Sequence, residues 1–182
     1  QRGLASASSS VYPVDREGGT SYLKKNYEVV AGSYPKHDGD VILIVDRDNS
    51  TNINALKNLG FDVKDGQKVK FNQIVGTKIK AISNNAYYQN VAGNVYVPTK
   101  GYANAYKQND NRELTVAGVL RTRSKTSDGL LSQGFAYSDR LTKDLVALNK
   151  DSDVVKAQRA SDVNIFTNQS VDKATKDQLI TA

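Results

Sequence analysis

Residues 27–45 read YEVVAGSYPKHDGDVILIV, and this stretch decides how the rest of the chain is read. Two apolar runs, Val29-Val30-Ala31 and Val41-Ile42-Leu43-Ile44-Val45, flank a segment dense in chain breakers: Gly32, Pro35, Asp38, Gly39 and Asp40. Proline fixes its own φ and holds the preceding Tyr34 extended, and Gly39 accepts a positive φ, so the chain turns between the runs. The second run lacks the polar alternation of a half-exposed strand. Too short for a helix, it suits a strand buried on both faces. From these residues alone the stretch reads as a core hairpin.

Working outward, Asn52 is placed to cap a helix with Ile53, Leu56 and Leu59 on one face, Gly60 as its stop and Phe61 as the contact beyond it. Before the hairpin, residues 20–26 fit a short helix capped by Thr20 or Ser21. Residues 64–66 form a turn, 68–71 and 77–82 alternate as short strands, Asn84-Asn85 signals a turn, and Val95-Tyr96-Val97 is a brief strand stopped by Pro98. Residues 100–112 are a short surface helix or a loop. The run 114–121 is a second strand, and 122–128 a polar loop. Ser138 caps the best helix, with Leu141, Leu145 and Leu148 at i, i+4 and i+7 and Asp139 favourable to its dipole. A smaller helix follows over 151–159, and a frayed one over 172–180. These elements predict an α+β domain: a small mixed or antiparallel sheet including 41–45 and 114–121, covered by the 52–59 and 138–149 helices, with Leu43, Leu56, Leu141 and Leu145 buried. The chain divides into a flexible N-terminal segment at 1–19, with 11–19 irregular, the domain proper at 20–168, and a C-terminal helical segment at 169–182.

Composition narrows the function. The 182 residues suffice for one ordinary domain, and 38% hydrophobic content implies a thin core with much wetted surface. No apolar run approaches the roughly 20 residues that span a bilayer. A chain that starts Gln1-Arg2-Gly3 and contains no Met reads as a piece of a longer protein. The absence of Cys removes disulfides, zinc–thiolate sites and thiol catalysis. The net charge of +6 is dispersed among acids and amides, which favours weak attraction to anionic wall polymers or lipid headgroups and gives no nucleic-acid site.

Chemical motifs are sparse. His37 is the sole histidine and lies in a breaker-rich turn, where solvation outweighs catalysis. Residues 46–50, DRDNS, resemble the first half of a calcium loop, but Thr51 stands where the turn glycine belongs and Lys57 where the bidentate Glu belongs. Phosphate-binding glycine motifs are absent. No catalytic, cofactor-binding or metal residue is assigned. The remaining feature is aromatic: Tyr87, Tyr88, Tyr96, Tyr102 and Tyr106, interleaved with Lys100 and Lys107. They form either a partner or glycan surface, or a core filled with Tyr in place of Phe and Trp.

The stretch quoted first, followed by ALKNLGF at 55–61, LTVAGVLR at 114–121, GFAYSDRL at 134–141 and SDVVKAQ at 152–158, resembles the extracellular domains of MacB/FtsX-type ABC transporter permeases, in particular the long permeases of Gram-positive bacteria. Each block is weakly specific; their common order carries the resemblance. It implies a lobe inserted between the first two of four transmembrane helices, on the extracellular face of the plasma membrane, matched here over its later part and therefore trimmed. It implies no catalytic residues. The implied partners are a cytoplasmic ABC ATPase, a second permease copy or partner permease, and a membrane-fusion-type accessory protein. The expected function is coupling of ATP hydrolysis to export of a peptide, toxin or antibiotic, or to regulation of a partner at the cell surface. The rival expectation is a binding or sensing module for a peptide or cell-wall fragment.

Overall fold

The computed structural model describes residues 9–92, 95–100, 102–123 and 131–166; the helix expected within 169–182 and most of the 122–128 loop lie outside them. The chain forms two compact units, Gln1–Ala81 with Arg112–Asp144, and Ile82–Asn111 with Leu145–Ala182.

The first unit contains β1 (Ser9–Tyr12), α1 (Ser21–Asn26), β2 (Tyr27–Gly32), β3 (Asp40–Val45), α2 (Ile53–Asn58), α3 (Phe71–Ile74) and β4 (Lys78–Ala81). In the second unit follow α4 (Asn84–Tyr87), β5 (Tyr88–Ala92), β6 (Val95–Pro98) and α5 (Tyr102–Tyr106). The chain then returns to the first unit with β7 (Arg112–Thr122) and β8 (Gly134–Ser138), and closes with α6 (Asp139–Lys150) and α7 (Asp153–Ala160). The result is a mixed α+β fold. No helix among the described residues is long and apolar enough to cross a membrane.

A six-stranded mixed sheet in the order β1-β8-β3-β7-β2 carries the first unit, with β4 also paired to β7. At its centre, Val41 through Val45 are all 2% exposed or less, so the uninterrupted apolar run is indeed buried on both faces. The expected core hairpin is corrected: β2 and β3 are not paired. The eleven-residue β7 lies between them, antiparallel to β2 and parallel to β3. An apolar strand with no polar face needs neighbours on both edges, and β3 finds them in β7 and β8. One edge of β7 is shared in turn by β4, along 112–115, and β2, along 118–122.

Alternation along β3 sorts the core. Ile42 and Ile44 face a cluster with Tyr12, Leu23, Tyr27, Leu120 and Ala136. By strand geometry Val41, Leu43 and Val45 point to the opposite face. The structure decides four further expectations, correcting three and realising the Asn84-Asn85 turn as a helical one. Ser9–Tyr12 is an edge strand parallel to β8, where an irregular segment was expected; Tyr12 is 1% exposed and anchors it in the core. Residues 68–70 form no strand, because their alternation finds no ladder partner, and Phe71 begins a helical turn instead. Asn84-Asn85 opens a helical turn capped by Ser83. The positive φ near the 32–40 turn falls on Gly32, at 72°, and not on Gly39.

α2 follows the local signals closely. The Asn52 side chain accepts from the N–H of Asn54 at 2.8 Å. At the other end Gly60 has φ 91°, its N–H donates to the Lys57 carbonyl, and the Phe61 N–H reaches back to the Leu56 carbonyl. That is the Schellman pattern. Asn52→Ala is expected to cost about 1 kcal/mol in urea denaturation, the typical value of a lost cap.

Tyr27 joins strand to core. Its ring is fully buried, its hydroxyl accepts from the Leu131 N–H at 2.8 Å, and its carbonyl accepts from the Tyr34 hydroxyl at 2.7 Å. Burial pushes the phenol up to about 12, partly offset by the Leu131 bond and aided by Tyr22. Burial raises Tyr12 as well, reinforced by Asp40 and Asp139. An unfolded tyrosine ionises near pH 10 while Tyr27 in the fold stays neutral to about 12. The contribution of Tyr27 to stability is therefore fully present below pH 10 and is lost as pH rises through the folded value. Chemical denaturation from pH 9 to 12 should show that decline, shallower in Tyr27→Phe.

Candidate functional site

The tyrosine-rich region lies in the second unit. Ser83 organises its start: its hydroxyl accepts from the Ala86 N–H at 3.2 Å, and its own N–H donates to the Asn111 side chain at 3.0 Å. The Asn84 N–H donates to Asn149 Oδ1 at 2.8 Å, and the Asp153 N–H to Asn85 Oδ1 at 2.9 Å. These amides, together with the close packing of α4 on α5 and α7, fix where the hairpin of β5 and β6 leaves the helices. Gln158, 3% exposed, donates to the Val163 carbonyl and accepts from the Ile165 N–H, which holds residues 163–165 against α7.

The hairpin register sets Tyr88 and Tyr96 on the face opposite Val95 and Val97. Tyr88 pairs with Pro98 and Asn90 with Tyr96, which places these four on one face. The Tyr88 ring meets Tyr87 edge-on at 4.8 Å and Phe166 at 5.4 Å. Burial, with Tyr87 adding to it, raises the Tyr88 phenol above its ordinary value. On the other face stand Val95 and Val97, with Val91 at the adjoining bulge; they are 44%, 38% and 58% exposed.

Of the seven residues proposed as a partner surface, Tyr87, Tyr88, Tyr96 and Tyr106 are half-buried, while Lys100 and Lys107 are exposed. Of Tyr102 only the backbone is described, as the first residue of α5. The structure thus brings Tyr87 and Tyr88 together as a packing cluster and leaves the valines open to solvent. The valine face was missed because β5 was not recognised as the partner of 95–97; the alternation of Val95-Tyr96-Val97 was the signal available.

The single His37 is exposed, with Nδ1 3.4 Å from the Asp40 carboxylate. That carboxylate also accepts the N–H groups of Lys36 and His37 at 2.8 and 3.0 Å and so closes the turn. In the calcium-like loop, Asp46 Oδ1 accepts the N–H groups of Asp48 and Ser50, while Oδ2 accepts from Gln133. Asp46 therefore shapes the loop by backbone capping. No group of three or more potential metal ligands occurs among the described residues.

The first unit holds a feature that no motif announced. A cleft of about 490 Å³ opens between α2 and residues 63–74, floored by Leu43 and Val45 of β3. Its volume falls within the range of small-ligand sites. Ile53, Leu56, Val69 and Phe71 line it and are only half-buried. Its rim carries both signs of charge: Lys64 and Lys68, Asp48 and Asp65.

Compared with family models, with curated proteins and with solved structures, the chain matches none of them.

Proposed function

We propose that this chain is a non-catalytic extracellular domain of an ABC transporter permease, which couples ATP hydrolysis by a cytoplasmic subunit to export, or to control of a partner at the cell surface. The observation that carries this reading is where the resembling blocks fall. Residues 27–45 supply β2, the turn and β3; 55–61 supply most of α2 and its end; 114–121 lie within β7; 134–141 supply β8 and the start of α6; 152–158 run from the N-cap into α7. The blocks thus coincide with the centre of the sheet and the helices that follow it. A rigid sheet is suited to passing on a displacement, because close-packed interiors resist compression and transmit strain. The exposed valines of the hairpin, flanked by Lys100, offer a surface for a second permease copy, a partner permease or an accessory protein.

The test is affinity capture of the natural full-length protein from detergent-solubilised membranes. An ABC ATPase is expected to co-purify, and charge reversal of Lys100 and Lys107 is expected to impair export while leaving ATP hydrolysis and folding intact. A protein found free in the medium, with no ATPase attached, would overturn the reading. The alternative, a binding or sensing module, is favoured by one observation, the cleft beside α2.

A further inference from the structure

We propose that the cleft between α2 and residues 63–74 binds a short extended peptide bearing branched aliphatic side chains and free termini. The proposal concerns the first unit alone and stands whether or not the chain serves a transporter.

The first argument is shape and polarity. A cleft of about 490 Å³ with Leu43 and Val45 at its base leaves Ile53, Leu56, Val69 and Phe71 half-wetted. A ligand that covers these side chains removes apolar surface from water, the main favourable term in association. An aliphatic side chain fits such a lining; a charged one would be desolvated against it.

A second argument is unused backbone. Residues 67–70 belong to no sheet or helix, and Lys70 is extended with φ −72° and ψ 134°. Among the described residues nothing accepts from the N–H groups of Lys68 and Val69, and nothing donates to their carbonyls. Both residues line the cleft. An extended chain with unpaired backbone beside an apolar groove is the arrangement on which peptides dock, with main-chain bonds giving affinity and side-chain pockets giving selectivity. An acyl chain has no backbone to exchange.

Charge argues the same way. The rim holds two lysines and two aspartates, and none of the four is ion-paired among the described residues. The free carboxylate and ammonium of a short peptide can each meet an opposite charge. A fatty acid would satisfy the lysines and be repelled by Asp48 and Asp65.

The experiment titrates the ¹⁵N-labelled 182-residue chain with three probes: the tripeptide Val-Leu-Val, the same peptide methylated at both peptide nitrogens, and sodium laurate below its micellar concentration. Val-Leu-Val should shift resonances of residues 43–56 and 63–74 saturably, with a dissociation constant of about 1 mM or below. Methylation removes the N–H donors of both peptide bonds, the groups that would reach the free carbonyls of Lys68 and Val69, and should weaken binding about tenfold, the effect of one or two lost hydrogen bonds. Val69→Asp should abolish the shifts; if that variant does not fold, the methylated peptide alone decides. No saturable shift, equal binding of the methylated peptide, or tighter binding of laurate at the same residues would overturn the proposal.

Discussion

Gly118→Ala is expected to be among the most damaging single substitutions in this protein, lowering stability by about 3 kcal/mol or more, at the upper end of what overpacking costs. At this point β2 leaves β7. A Cβ on Gly118 would fall 2.3 Å from the Ser33 carbonyl oxygen, and one on Gly32 would fall 2.3 Å from that of Ala117. Both obstacles are backbone, so neither can swing aside as a flexible side chain would. The Ser33 N–H also donates to the Ala117 carbonyl at 3.0 Å, so separating the chains breaks a hydrogen bond. Urea denaturation provides the number. Gly39→Ala is the control: its Cβ would meet only the Glu113 carbonyl oxygen, at 3.4 Å, and the change should stay within about 0.5 kcal/mol.

The second large effect separates two leucines of one helix. Leu141 is fully buried, and Leu141→Ala should cost about 2–5 kcal/mol by lost transfer energy and the cavity left behind. Leu145, expected on spacing to be its equal, is half-buried, and Leu148 is 44% exposed. Leu145→Ala should therefore cost less than half as much. Paired thermal melts of the two variants would show the difference, and equal losses would place Leu145 in the core after all. Leu56 on α2 follows the same pattern: it was expected in the core and instead stands half-exposed at the cleft.

What could be read from the amino acids was what neighbours along the chain determine. The apolar run at 41–45 identifies β3, and Asn52 with Gly60 marks the two ends of α2, because capping is a local exchange of hydrogen bonds. Ser138 likewise caps α6, its hydroxyl accepting from the Leu141 N–H at 3.0 Å. Strand order was not legible. Whether 27–32 pairs with 40–45 or with a strand some ninety residues later depends on which long-range contacts offset loop-closure entropy, and no local residue encodes that. β1 was hidden for another reason: its serines carry no strand preference, and only the burial of Tyr12 gives it a place in the sheet. At the candidate sites, tyrosine content drew notice to 87–106, yet the hairpin register turned Tyr88 and Tyr96 away from the valine face. The cleft needs residues 63–74 folded back over β3, which no spacing in the chain announces.

The proposal that the domain moves against a partner during a transport cycle meets its sharpest test in crosslinking at Val97. The 182 residues contain no cysteine, so Val97→Cys supplies their single thiol, on an exposed side chain of the hairpin. The variant full-length protein in native membranes would be treated with a thiol-to-amine photocrosslinker in the presence of ATP and after vanadate trapping. A crosslink to a second permease or an accessory protein, with a yield that differs between the two states, is the predicted result. A label that finds no partner in either state, or the same partner at the same yield in both, would contradict it.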